Sequence, residues 1–363
     1  MLAKKSKFLI GIIGILAAVL VFVVAGCGNT GTKTEKGDAG SGTASEKQVT
    51  LNGSGSTFDE PLFSTMFDEY SKIHPNVRVN YQGVGSGTGI KQLSDLITDF
   101  GATDAPMKDE QKAEAKGGEV LHIPVTLGAV AIAYNIPNAP KEIKIAPDVL
   151  VDIFQGKIKN WNDPRIAADN PGVKFQDLAI NIAHRSDGSG TTAIVTDYFS
   201  SVSSEWANKI GKGSTVNWPT GVGGKGNPGV AAAIQQTPGT IGYVELAYAK
   251  QNDIPYAQMK NKAGKWVSPS LEGASAAAAG AEIPDDMCVS IVNAEGDGAY
   301  PISAFSWVIL YQDQKDKDKG KAVVELLKWM VHDGQDYSED LDYAKLPDSL
   351  VERIDKMLET VTY

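Results

Sequence analysis

Side chains that bind metals or carry redox chemistry are scarce in this chain of 363 residues, which has two Cys and four His. His74, His122, His184 and His332 are scattered without ligand spacing, so a histidine-built metal centre is not expected. Arginine is equally sparse. Arg78, Arg165, Arg185 and Arg353 are all there are, which makes any Arg inside a polar, Gly-rich loop conspicuous. Positive charge is in deficit overall: 34 Lys and Arg stand against 44 Asp and Glu, a net charge of −10. That balance excludes a partner held by bulk positive charge, such as a nucleic acid. With 42% hydrophobic and only 21% charged residues, the chain is also not a disordered one. Nucleotide and hydrolase signatures are missing as well. No G-x-x-x-x-G-K-[ST] occurs, and neither Gly83 nor Gly85 opens a full G-x-G-x-x-G. Ser54, Ser86 and Ser189 lack the flanking glycines of a G-x-S-x-G nucleophile elbow.

One long apolar run is present, from Phe8 to Val24, preceded by Lys4, Lys5 and Lys7 and followed by Ala25-Gly26-Cys27. A basic start, an apolar core and small residues before a Cys read as a secretory signal, residues 1–26, rather than a fold element. The Ala-Gly-Cys ending resembles the lipobox of bacterial lipoproteins, which implies cleavage before Cys27 and lipid on its thiol. The alternative is an uncleaved anchor, since the run approaches the roughly 20 residues that span a bilayer. Removing residues 1–26 takes away three Lys and no acid, so −10 becomes −13. Residues 27–48, rich in Gly, Ser, Thr, Lys and Glu, read as a flexible tether reaching roughly 25 Å. Cys288, left without a thiol partner, is expected to be a buried structural residue.

From Val49 onward the length suits two domains. Strand patterns occur at 77–81, 129–134, 179–183, 240–244 and 305–311. Helical apolar stripes occupy 59–73 (with Ile73 on the stripe), 90–100, 191–202, 320–332 and 348–361, and 274–281 is a loop or helix edge. The alternation predicts an α/β fold with largely parallel sheets.

Three Gly-Ser/Thr turns stand out because each follows a strand and opens a helix: Asn52–Phe58, Gly83–Gly89 and Arg185–Thr192. Glycines let the backbone approach a ligand, hydroxyls donate, and helix starts present unpaired N–H groups, a combination suited to an oxyanion. A Ser or Thr at one helix start is ordinarily an N-cap. Three such turns, one carrying Arg185, point further.

Several blocks then resemble a known family. They are Ser56-Thr57-Phe58, Asn80–Ser86, Asp99–Pro106, Gly156-Lys157-Ile158 with Trp161, Arg185–Thr191, Gly213–Gly229 and Gly242–Glu245. From about Thr50 to Leu350 the chain resembles the phosphate-binding proteins of bacterial phosphate ABC importers. The resemblance implies a two-lobed type II periplasmic-binding-protein fold with a hinge crossed twice, near Pro124–Val125 and Tyr300–Pro301. Lobe I would be 49–124 plus 301–363, and lobe II 125–300. It implies phosphate contacts at Thr57, Phe58 (backbone N–H), Ser86, Asp104, Arg185, Ser189, Gly190 and Thr191. Ser56 and the Gly87-Thr88 pair depart from the commoner pattern of relatives and flank the contact positions.

Physical chemistry gives these positions roles. Arg185 offers a planar charged fork for a tetrahedral oxyanion, and Asp187 is placed to hold its rotamer. Asp104 repels any anion that lacks a proton to donate, which favours phosphate over sulfate. The resemblance implies a non-catalytic function: phosphate bound between closing lobes and delivered to the permease and ATPase subunits of an importer, outside the cytoplasm, from a lipid anchor at Cys27. No cofactor or metal is expected. The alternatives are a receptor for sulfate or molybdate, a secreted phosphatase or serine hydrolase using Ser86 or Ser189 with His184 as base, and a surface adhesin.

Overall fold

The computed structural model describes residues 47–363, so the signal segment, Cys27 and the tether up to residue 46 lie outside the described residues. Eleven strands are described: β1 Val49–Gly55, β2 Val77–Gly83, β3 Phe100–Thr103, β4 Val120–Tyr134, β5 Lys144–Ile145, β6 Asn181–Arg185, β7 Val222–Gly224, β8 Thr240–Glu245, β9 Gln258–Lys260, β10 Trp266–Val267 and β11 Ser303–Tyr311. Eight form one sheet in the order β2-β1-β3-β11-β4-β8-β6-β7, and β10-β9-β5 form a small second sheet.

β4 organises the main sheet. All 15 of its residues are buried, as expected of a near-continuous apolar run covered on both faces. Its first part, Val120–Ala129, pairs antiparallel with β11, and its last part, Val130–Tyr134, pairs antiparallel with β8. At about 3.3 Å per residue, one strand thus serves two halves of the molecule. In the first half β1, β2 and β3 are parallel to one another, and in the second β6, β7 and β8 are. The sheet is therefore mixed rather than largely parallel, because β4 and β11 are each antiparallel to both of their neighbours. Registers bring the carboxyl ends of both groups to the middle of β4. Thr103, ending β3, lies opposite Trp307, which faces Pro124. Glu245, ending β8, lies opposite Val130. Ligands bind α/β proteins beyond the carboxyl ends of parallel strands, and here two such edges face each other.

The helices form where the apolar stripes fall, with informative shifts. Helix Glu60–Ile73 has Pro61 in its first turn and buries Leu62, Phe63, Met66, Phe67 and Tyr70. Ile73, on the expected stripe, is 58% exposed because the helix ends there. The helix expected at 90–100 runs instead over Ser86–Ser94, since Leu96 turns left-handed (φ 62°) and Phe100 begins β3. The Ala-rich stretch is a full helix, Leu271–Ala279, started by a Ser270 cap. Cys288 is half-buried rather than buried, and burial pushes its thiol up to about 12, which leaves it a poor nucleophile.

Candidate anion-binding site

Each of the three turns ends a strand at the facing edges. β1 delivers Ser56, Thr57 and Phe58; β2 leads through Gly85 (φ 93°) into the helix beginning at Ser86; β3 is followed by Asp104. Across the cleft, β6 ends at Arg185 and the chain enters helix Gly190–Val202 at Ser189. Thr57, Phe58, Ser86, Asp104, Arg185, Ser189 and Thr191 are all buried. Asp187, Gly188 and Gly190 complete the second wall, so every site residue expected within the described region lies in one cluster.

Arg185 is fixed from three sides. Its Nε donates to Asp187 Oδ1 (2.8 Å), its Nη2 to Asp187 Oδ2 (2.5 Å) and its Nη1 to Thr191 Oγ1 (3.3 Å). The Asp187 pair is the rotamer lock expected from the sequence. Burial pulls the Asp187 carboxyl upward, but the Arg185 hydrogen bonds and charge and the Gly226 amide outweigh it, leaving it below its ordinary value. Behind the guanidinium, the Arg185 backbone N–H donates to the Tyr243 hydroxyl (3.0 Å), which is 2.6 Å from Thr192 Oγ1.

The two edges touch directly. Gly190 N–H donates to Ser86 Oγ (3.1 Å), and Gly87 N–H donates to the Gly188 carbonyl (2.9 Å). Thr57 Oγ1 accepts from both the backbone N–H and the Nδ2 of Asn227 (3.0 Å each), and the Tyr248 hydroxyl donates to the Thr57 carbonyl. Glycine is required at the contact, since a Cβ on Gly190 would sit 2.4 Å from Asp104 Oδ2 and 2.6 Å from Ser86 Oγ. Two expected donors have internal partners. Phe58 N–H donates to Ser56 Oγ (2.8 Å), and Ser189 Oγ accepts from Thr192 N–H (3.1 Å) as an N-cap, which leaves the Ser189 hydroxyl hydrogen free to donate.

Asp104 is the sole carboxylate of the expected contact set and is almost fully buried. Desolvation raises it to about 6, while hydrogen bonds from Ser56 and Ser306, the Arg185 charge and the Thr191 amide pull the other way. Beneath it lies a layer that sequence reasoning left without a role: Asp59, Glu245, Ser306 and Asn227, each at 0% exposure. Asn227 sits in the Gly-rich block 213–229, and Glu245 ends the 242–245 block, so block membership was the available signal. Asp59 and Ser306 carried none. His184 makes no hydrogen bond to Ser86 or Ser189 among the described residues: its ring stacks on Trp218 and its Nδ1 lies 3.0 Å from the Arg185 carbonyl.

A family model described as a PBP superfamily domain matches residues 38–333. The chain is 43% identical over 312 residues to the phosphate-binding protein PstS of Xylella fastidiosa, covering 85% of each chain. The chain belongs to the PstS family of the PBP superfamily. The PstS protein of Methanocaldococcus jannaschii is 40% identical over 352 residues, covering 91% of this chain and 89% of its own. A solved structure described as a putative phosphate ABC transporter substrate-binding protein with bound phosphate, from Clostridium perfringens, superposes with a TM-score of 0.60 at 19% identity. It covers 82% of this chain and 100% of its own, a likeness of fold. The two-lobed architecture read from the sequence is thus the fold of this chain.

Proposed function

We propose that this chain is an extracytoplasmic receptor that closes on inorganic phosphate and hands it to the permease and ATPase subunits of an ABC importer. The observation that carries the reading is the convergence of a buried Arg fork, Arg185, and a buried carboxylate, Asp104, on opposite walls of one cleft lined by helix starts and hydroxyls. Arg185, the helix starts at Ser86 and Gly190, and the hydroxyls of Thr57, Ser86, Ser189 and Thr191 would hold the negative oxygens. Asp104 would accept the ligand's own proton. Phosphate carries one at neutral pH and sulfate does not, so sulfate or molybdate would face an unpaired buried charge. Family membership supports the same reading.

The lobes would be 49–124 plus 301–363 and 125–300, with the β4–β11 register irregularity at Ser306/Trp307, opposite Thr126 and Pro124, as one flexing point. The contacts Ser86–Gly190 and Thr57–Asn227 join the two lobes, so an anion that exchanges into them would favour the closed state. A lipid on Cys27 and the tether would keep the receptor at the membrane face. Hydrolysis is the weaker reading, since the Ser86 and Ser189 hydroxyls bond backbone N–H groups and neither contacts a histidine among the described residues.

The test is a fluorescence titration of the full chain with phosphate, sulfate and arsenate, checked by equilibrium dialysis. Trp218 stacks on His184 and on Tyr243, which holds the Arg185 backbone, so it is placed to report binding. Saturable binding of phosphate with sulfate excluded is expected; no phosphate retained in dialysis overturns the reading.

A further inference from the structure

Under the cleft, two buried carboxyls meet at one hydroxyl. Ser306 Oγ lies 2.7 Å from Asp59 Oδ2 and 2.9 Å from Asp104 Oδ1, with the Thr103 carbonyl at 3.2 Å. A serine hydroxyl has one hydrogen, and two carboxylates supply none, so three oxygens in this row need a second proton to hold both short contacts. One of the two acids must therefore be neutral. Their surroundings differ. Asp104 has the Arg185 charge, the Ser56 hydroxyl and the Thr191 amide about it. Asp59 is at 0% exposure, has no ion pair among the described residues, and its Oδ1 has no hydrogen-bond partner. Its other titratable neighbours are Asp104, Glu245, Tyr81, Tyr248 and Tyr343, none of which brings positive charge. An ionised carboxylate so placed is far costlier than a neutral acid with one unpaired carbonyl oxygen.

We propose that Asp59 is kept as the neutral acid, donating to Ser306 Oγ, and that Ser306 in turn donates to Asp104 Oδ1, making Asp59 and Ser306 positioning residues for anion selectivity. The relay ties up Oδ1 and leaves Oδ2, which lies beside Gly190 and Ser86 Oγ at the cleft, as an ionised acceptor turned toward the ligand. Desolvation and the nearby Asp104 charge raise Asp59 well above the carboxylate range, in keeping with a proton that stays put. The relay adds to what lets an anion site keep a carboxylate charged: with the Ser56 hydroxyl, the Arg185 charge and the Thr191 amide, the hydrogen bond donated by Ser306 stands in for solvent around Asp104. This inference rests on the phosphate reading for its consequence but not for the location of the proton.

Two experiments separate these. Infrared spectra of the ligand-free full chain, labelled with carbon-13 at aspartate only so that Glu245 is silent, read the protonated acid directly near neutral pH. The neutral-aspartic-acid band is expected in the wild type and in Asp104→Asn, and is expected to vanish in Asp59→Asn. A band that is absent from the wild type, or that vanishes in Asp104→Asn and not in Asp59→Asn, overturns the assignment whether or not phosphate binds. In binding assays, Ser306→Ala is expected to lower the phosphate-to-sulfate affinity ratio by about ten- to a hundred-fold, the size of one buried hydrogen bond to an ionised group. It should also raise the pH at which sulfate begins to bind, and Ser306→Thr, which keeps the hydroxyl, should restore both. An unchanged ratio and onset in Ser306→Ala overturn the relay. Failure of the wild type to bind phosphate would instead overturn the functional reading and leave the infrared result standing.

Discussion

On the phosphate reading Arg185 and Asp104 have opposite tasks, and each yields a measurable prediction. Arg185→Ala removes the buried fork and strands Asp187, so phosphate affinity should fall by the equivalent of about 2–5 kcal/mol, the usual cost of truncating one partner of a buried charge pair. Arg185→Lys should recover little of it, because an ammonium cannot reproduce two parallel bonds to Asp187 and still reach Thr191. Isothermal calorimetry of both variants checks this. For Asp104 the pH sign follows from a carboxyl raised to about 6. Above that pH it is charged and accepts only from a protonated oxyanion; below it the acid becomes a donor. Sulfate affinity should accordingly be negligible at mildly alkaline pH and rise as pH falls through about 6, while Asp104→Asn should bind sulfate with no such onset. Because the folded-state value lies above the ordinary one, its contribution to stability is present at low pH and is lost as pH rises through about 6. Competition dialysis across pH decides the selectivity prediction. Arg185 could be read from the sequence because a Gly-Ser/Thr turn before a helix is a local pattern, whereas Asp104, in a Thr-Asp-Ala-Pro turn, was marked only by the resemblance to the family. Asp59 and Ser306 could not, since nothing within a few residues of Asp59 signals a hydroxyl 247 positions away.

The elements that matter most are the two helix starts that face each other, at Ser86 and Gly190. Gly190 is helical, so alanine is compatible with its own backbone, and the obstacle is entirely across the cleft, in Asp104 and Ser86. Gly190→Ala should therefore weaken phosphate binding by at least about ten-fold, since the added methyl meets Asp104 and Ser86 where the two edges touch, and should lower the melting temperature more with phosphate present than without it. Thermal melts with and without phosphate check both halves: the wild type should gain roughly 2.7 kcal/mol of stability at a hundred-fold excess of ligand over Kd, and the variant much less. Element boundaries depended on what periodicity could not report. The apolar stripe through Phe100 reads as one helix continuing from Ile90, yet Leu96 breaks it and Phe100 serves β3, packing against Tyr81 and Phe67 from other elements.

For the whole molecule, the lipobox reading predicts that the processed chain begins at Cys27 and carries lipid there, and that Cys27→Ala abolishes lipid incorporation without changing phosphate affinity; intact-mass measurement followed by dialysis checks both. The α/β class, the oxyanion chemistry and the turns that carry it all followed from one-dimensional order, because strand, glycine turn and helix start are neighbours in the chain and their dipoles and hydroxyls act locally. Which wall each turn occupies did not. A fold judged largely parallel from its alternation is mixed, because β4 and β11 run antiparallel to their neighbours through the middle, and β4 pairs with strands of both halves. Only that pairing turns two sets of strand ends toward each other. It brings Asn227 to Thr57 across 170 residues and Ser306 to Asp104 across 202, contacts set by strand register and burial rather than by any spacing along the chain.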